Sequence, residues 1–336
     1  MGAEATQARS SSSRQVSRRS LPRARDAGES KRTVYVAIAA NATIALAKLG
    51  GGLATGSSAM LAEAAHSVAD TTNQCFLLVS IMLGRREPSP RRPFGHGQER
   101  FLWTFMAAIG MFLAGATFAI GFGTYELLAH KGENSGYTVA YVVLAVAFAA
   151  ESVSWARAYR QSRHEARGAQ MSLIDYVRQS RDPNVKMVLF EDTAALVGVL
   201  IAALGIGLNQ VTGSLFYDPC ASVLIGLLLV SVAFWMGRDA KHLLIGAAAR
   251  PDERDAIERT IEEFEEVRGV LELLTLVLGP DALLVAARVD LDDDLTADRV
   301  EEVSTRIDRR LRDVVPDVTE VFLDATPGSG ARPRSA

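Results

Sequence analysis

Residues 58–73 read Ser58-Ala59-Met60-Leu61-Ala62-Glu63-Ala64-Ala65-His66-Ser67-Val68-Ala69-Asp70-Thr71-Thr72-Asn73, and the apolar run they open continues to Leu83. Three ionisable side chains stand where a membrane-spanning helix should be apolar. Such groups are costly at that depth and mark function. At about 100° per residue, Glu63, His66 and Asp70 fall near 0°, 300° and 340°, so they project from one narrow face with Asn73 beside them. An imidazole and carboxylates on one face suit a divalent cation. The competing reading is a polar seam that hydrogen-bonds neighbouring helices.

The rest of the chain supports the membrane setting. It has 336 residues, 49% of them hydrophobic, with a mean hydropathy of +0.13. The apolar residues come in blocks: Thr33 to Leu53, Ala59 to Leu83, Phe101 to Leu127, Tyr137 to Trp155, Lys186 to Leu208 and Asp218 to Trp235. Each is long enough to cross a hydrocarbon core of about 30 Å. A soluble helical bundle rarely carries so many long apolar runs. The expected architecture is an all-α bundle of six transmembrane helices over residues 33–242, followed by a small α/β domain.

Basic residues gather on alternate loops. Arg14, Arg18, Arg19, Arg23 and Arg25 lie in the N-terminal tail, Arg85, Arg86, Arg91, Arg92 and Arg100 in the second loop, and Arg157, Arg160, Arg163, Arg167, Arg178 and Arg181 in the fourth. The last span exits into Arg238 and Lys241, whereas the intervening loops carry only Lys131. The positive-inside rule then places both termini in the cytoplasm. Residues 1–32 are rich in Ser and Arg and are expected to be a disordered basic arm near anionic lipid. Their composition also fits a mitochondrial transit peptide, while no secretory signal is read. Cys75 and Cys220 both fall in apolar spans, which argues against a disulfide framework.

After Pro251 acidic residues alternate with apolar ones. A helix capped by Asp252 is expected to run to about Val267, burying Ile257, Ile261 and Phe264. Strands follow at Val270 to Leu278 and Leu283 to Leu291 around a Gly279-Pro280-Asp281 turn, then a helix from Thr296 to Arg312 and a strand at Val318 to Leu323. The result is a ferredoxin-like α-β-β-α-β domain over residues 250–326, its two helices on one face of the sheet. Residues 327–336 carry no core signal.

Glu63-x-x-His66 invites comparison with a metalloprotease helix. That motif needs a histidine before the glutamate, and position 62 is Ala. No enzymatic activity, resident cofactor or nucleic-acid partner is expected. Asn41 and Lys48 lie two turns apart on the first span and should face the bundle, Lys48 as a partner for a carboxylate. Glu63 is expected to hold His66 or to line the exit. Gly110, Gly115, Gly121, Gly123, Gly198 and Gly226 would let helices approach closely.

Several motifs in fixed order carry a family resemblance: Ser57-Ser58-Ala59-Met60-Leu61-Ala62-Glu63, His66-x-x-x-Asp70, Phe94-Gly95-His96-Gly97, Glu191-Asp192 and Tyr217-Asp218-Pro219, with the small α/β tail behind them. The chain resembles the cation diffusion facilitators, proton-coupled exporters of divalent metals, over nearly everything after residue 30. The resemblance implies a homodimer in the lipid bilayer with metal ions and protons as substrates, and the abundance of Ala, Arg and Gly favours a bacterial plasma membrane over an organellar one. It also implies a transport site between the second and fifth spans. His66 and Asp70 match the second-span pair and Asp192 the downstream carboxylate of the fifth, but the position four residues earlier is Val188. Glu191 is the candidate for the missing ligand, about 100° around the helix from Asp192. Asp182 and Asn184 are expected to cap that helix.

Zinc is the expected cargo, with manganese or iron as the alternative that an oxygen-rich ligand set would favour. A membrane metal sensor or scaffold that moves nothing is the alternative from another class. An imidazole near its ordinary pKa of about 6.5 is the natural group to exchange a proton for metal. His96 lacks the acidic partner the family sometimes places seven residues upstream, where Ser89 stands, and is read as a turn residue. No histidine follows His242, so the metal cluster that joins the cytoplasmic domains of many relatives is expected to be missing, leaving dimerisation to packing.

Overall fold

The computed structural model describes residues 31–84, 86–129, 136–168, 170–181 and 183–326. The basic arm, the loop holding His130 and Lys131, Asp182, the side chain of Asn184 and the tail from 327 lie outside them. Among the described residues ten α-helices and three strands follow in order: α1 (Lys31–Thr55), α2 (Ser58–Gly84), α3 (Glu99–Gly110), α4 (Thr117–Ala129), α5 (Tyr137–Gly168), α6 (Leu173–Gln179), α7 (Pro183–Thr212), α8 (Tyr217–Gly246), α9 (Pro251–Glu262), β1 (Val267–Gly279), β2 (Ala282–Leu291), α10 (Ala297–Val314) and β3 (Val318–Ala325). A π-helical turn, Met111–Ala116, joins α3 to α4 so that they form one long rod.

Among the described residues four runs are long and apolar enough to cross a membrane: Glu99–Ala129, Tyr137–Gly168, Val188–Thr212 and Tyr217–Glu262. They correspond to the third to sixth expected spans, the fifth being α7. The helix α2 differs because its first half buries Glu63, His66, Ser67, Asp70 and Asn73, a seam turned inward. The core of the bundle is built largely from small residues, with Ala59, Ala62, Ala107, Ala116, Ala202 and Ala221 nearly inaccessible. Without a hydrophobic driving force in lipid, close backbone approach supplies the packing. Gly226 shows the fit, since a Cβ there would meet Ile120 and the carbonyl of Ala116.

One acidic residue fastens the end of the bundle where α1–α2 and α7–α8 turn. Asp218, buried at the start of α8, accepts hydrogen bonds from Ser57 Oγ at 2.7 Å, Ser58 N at 2.7 Å, Ser58 Oγ at 3.0 Å and Ala59 N at 3.4 Å. It thereby caps α2 from another helix, satisfying amides that a helix start leaves unpaired. Asn209 Oδ1 in turn accepts from the amides of Tyr217 and Asp218, at 2.9 and 3.1 Å. Asp218→Ala is expected to destabilise the fold by about 3 kcal/mol, from a lost cap and lost charged hydrogen bonds. Thermal unfolding in detergent would read this as a midpoint lower by about 6–12 °C. An unchanged midpoint would mean these bonds do not hold the helix ends together.

The C-terminal domain has the expected α-β-β-α-β order, with strand order β1-β2-β3, β1 antiparallel to β2 and β2 parallel to β3. Alternation on β2 buries Leu283, Val285, Ala287 and Val289. Against them lie Ile257 and Ile261 of α9, and Val303, Ile307 and Leu311 of α10 at the i, i+4, i+8 spacing of one helical face.

Two expectations are corrected here. Asp252 is not the cap of α9: Arg250 is, with Pro251 in the first turn, because Glu253 accepts from the Arg250 amide at 3.0 Å and its guanidinium at 2.6 Å. That helix stops at Glu262, and Val267 already belongs to β1. Phe101, at the start of the third expected span, lies inside Glu99–Ala129 as expected, and its side chain packs into the core of the C-terminal domain beside Leu243 and Ala247.

Several contacts join the two parts. The Val277 amide donates to the carbonyl of Ala247 at 2.8 Å, and Gly97 packs on Leu278 and Gly279 without room for a Cβ. Arg181, buried in the stretch before α7, pairs with Glu253 of α9 and lies 3.6 Å from Asp317 before β3. Burial draws its guanidinium below the ordinary arginine range, while the two carboxylates favour the charged form.

Candidate metal site

The polar face of α2 meets α1 and α7, both of which also pack against α5. His66 Nε2 lies 3.5 Å from Asp70 Oδ2, one turn on, and both residues are buried. Across the interface Asn73 Nδ2 donates to Glu191 Oε2 on α7 at 2.7 Å, which brings the Glu191 and Asp70 carboxyl groups near enough to couple electrostatically. Asp192 turns elsewhere: Ser154 Oγ of α5 donates to its Oδ2 at 2.9 Å. The divergence of Glu191 and Asp192 follows from their adjacency, because successive helical residues point about 100° apart. Of the four residues named from the sequence, the structure thus brings His66, Asp70 and Glu191 together and sets Asp192 against α5.

Several donor atoms are buried with no hydrogen-bond partner: both ring nitrogens of His66, Asp70 Oδ1, Asn73 Oδ1 and Glu191 Oε1. Buried polar atoms are almost always satisfied, so a cluster of orphans at one interface calls for a reason such as an ion. Among the described residues no group of three or more His, Cys, Asp or Glu side chains converges into a complete ligand set. The donors face one another across α2 and α7 without closing on a point.

A second polar group adjoins the first. Lys48 Nζ of α1 donates to Glu63 Oε2 and Ser67 Oγ, each at 2.9 Å, and lies 3.8 Å from Glu151 Oε1 of α5. Lys48 is fully buried, as is Glu63, so the expectation of a carboxylate partner for Lys48 holds. Glu63 is held by this lysine, not by His66. Glu151 and Ser154 were not singled out from the sequence, although Glu151 is an ionisable residue inside the otherwise apolar fourth span. The spacing of Glu151 and Ser154, three residues apart, puts them on one face of α5.

Cys75 and Cys220 are free thiols. His96 lies in the turn-rich loop before α3, beside a cavity of about 360 Å³ that it lines with Phe94, Leu244 and Leu276, away from the polar core.

Comparison with known proteins adds identity to this geometry. Residues 34–245 match the cation efflux transmembrane domain, and residues 249–327 match the cation efflux protein cytoplasmic domain. The chain is 32% identical over 261 residues, 78% of its length and 46% of the relative's, to the mitochondrial proton-coupled zinc antiporter SLC30A9 of Homo sapiens. It is 29% identical over 79% of its length, and 58% of the relative's, to Metal tolerance protein C4 of Arabidopsis thaliana. With the Manganese efflux system protein MneP of Bacillus subtilis it shares 23% identity over 89% of its length and 96% of that protein's. The chain spans about half the length of the first two of these curated relatives. A polar seam on α2 facing Glu191 on α7, a three-stranded α/β domain behind the bundle, and matches to both domain models agree: the chain belongs to the cation efflux, or cation diffusion facilitator, family.

Proposed function

We propose that this protein exports a divalent transition metal, zinc in the first place, in exchange for protons. The observation that carries the reading is the set of buried, unpartnered donors on His66, Asp70, Asn73 and Glu191 at the α2–α7 interface. The ion would be gripped by His66, Asp70 and Glu191 once these donors close on it, and Asp192 would enter the ligand set when α7 turns. Nitrogen plus carboxylate oxygen suits zinc. Each ligand must be deprotonated to bind, so metal entry releases protons and metal exit takes them up. Such a cycle is transport and not bond-making catalysis. The same reading places six helices across the membrane, α1, α2, the α3–α4 rod, α5, α7 and α8, over residues 33–242. Both termini would face the cytoplasm of a bacterial cell, and the domain over residues 250–326 would pair two copies.

Manganese is a second reading, supported by Val188 in place of a possible imidazole ligand and by the likeness to a manganese efflux protein. Flux of zinc and of manganese into proteoliposomes under an imposed pH gradient tests both. Zinc flux that rises with the gradient is the expected result. Flux indifferent to the gradient would remove the exchange step, and metal binding without flux would leave a sensor or scaffold.

A further inference from the structure

Beside the donors assigned to the transported ion, Lys48 is an ammonium group with no access to solvent inside the bundle. Its Nζ sits among three oxygens from two other helices: Glu63 Oε2 and Ser67 Oγ at 2.9 Å, and Glu151 Oε1 at 3.8 Å. The environment is fixed on the far side too. Gly198 of α7 backs onto Glu63 so closely that a Cβ there would collide with Glu63 Oε1, and that oxygen is buried with no hydrogen-bond partner. Two carboxylates and a hydroxyl around one buried position are the oxygen set of a hard divalent cation. The position is filled by a cation the chain carries itself.

We propose that Lys48 is a specificity-determining residue whose ammonium occupies a second cation position, formed by Glu63, Ser67 and Glu151, and so keeps it closed to a divalent ion. Without that tethered charge two carboxylates would stand uncompensated next to the His66–Asp70–Glu191 group. Buried carboxylates in that condition take up a proton or a cation, and two of them beside a hydroxyl suit a divalent ion. The lysine therefore confines binding to one ion per protomer, an arrangement that keeps a second, slowly leaving ion from stalling the cycle. The stoichiometry of one rests on the function proposed above; the closure of the second position rests on the Lys48 contacts alone.

The test is a two-metal titration of detergent-solubilised full-length protein. Each variant is loaded with zinc, freed of excess, and titrated with manganese(II) counted by electron paramagnetic resonance. The parent is expected to hold one zinc and no manganese, and Lys48→Met one zinc and one manganese per protomer. Lys48→Arg, which keeps the charge, should behave as the parent, and Lys48→Met/Glu63→Gln should lose the added manganese. A Lys48→Met protein that takes up no manganese overturns the inference. Failure of the parent to bind zinc instead overturns the proposed function, since the manganese difference between parent and variant is read separately. Where Lys48→Met does not yield monodisperse protein, Lys48→Gln, which keeps a donor for Glu63, gives the same reading.

Discussion

Asp70→Asn should reduce metal flux in proteoliposomes to the level of protein-free vesicles, a loss of more than about 100-fold. Substitutions behind a metal ligand already cost about 10–100-fold, and Asp70 is proposed as a ligand itself. Asparagine preserves the size of the side chain but removes the charge that faces Glu191 and His66. The comparison that sharpens the result is between the two adjacent acids of α7. Glu191→Gln can keep the bond from Asn73, through its amide oxygen, while losing charge, and is expected to lose both zinc binding and flux. Asp192→Asn should retain stoichiometric zinc binding and lose flux, because Asp192 lies against Ser154 in the state described and, on the proposed cycle, would be needed only after α7 turns. Equal retention of flux in Asp70→Asn and the parent would remove the site from the α2–α7 interface.

The second large effect is expected at a residue with no side chain. At Gly198 an added Cβ would overlap Glu63 Oε1, and Glu63 cannot swing away because Lys48 holds its other oxygen. Overpacking of this kind costs about 1–3 kcal/mol even for one methyl group. Gly198→Val should therefore yield little monodisperse protein, and Gly198→Ala should fold with a lowered unfolding midpoint and impaired flux. The collision predicts its own cure. Glu63→Asp, one methylene shorter and still charged opposite Lys48, should restore much of the stability of Gly198→Ala when combined with it. If the double variant is no better than Gly198→Ala alone, the α2–α7 contact is not what limits that protein.

How far the sequence reached depends on which kind of information each element carries. Apolar blocks and alternate basic loops mark the helical bundle, and the α-β-β-α-β order is written in switches between periods of 3.6 and 2. His66, Asp70 and Asn73 were legible because one helix and one spacing place them together. Glu151 and Lys48 were harder to assign, since what matters is their meeting Glu63 from α5 and α1, a fact of packing between helices. The choice between Glu191 and Asp192 turns on the rotation of α7 about its axis, which the local pattern leaves open. The π-helical turn at Met111–Ala116 and the short helix α6 had no sequence signal that was read. Arg250 displaced Asp252 as a cap because Glu253 reaches back to it, a reciprocal bond that competes successfully with the usual preference for Asp.

Arg181 gives the joint between the two parts a mechanical meaning. It lies two residues before the start of α7, the helix that carries both acids of the site, and is gripped by Glu253 and Asp317 of the C-terminal domain. Any turn of α7 about its axis would therefore load the C-terminal domain through α9 and the turn before β3. In a pair of such chains joined through their C-terminal domains, the torque of one transport stroke would reach the neighbouring protomer, and the two halves would work as a shared drive shaft, not as independent pumps.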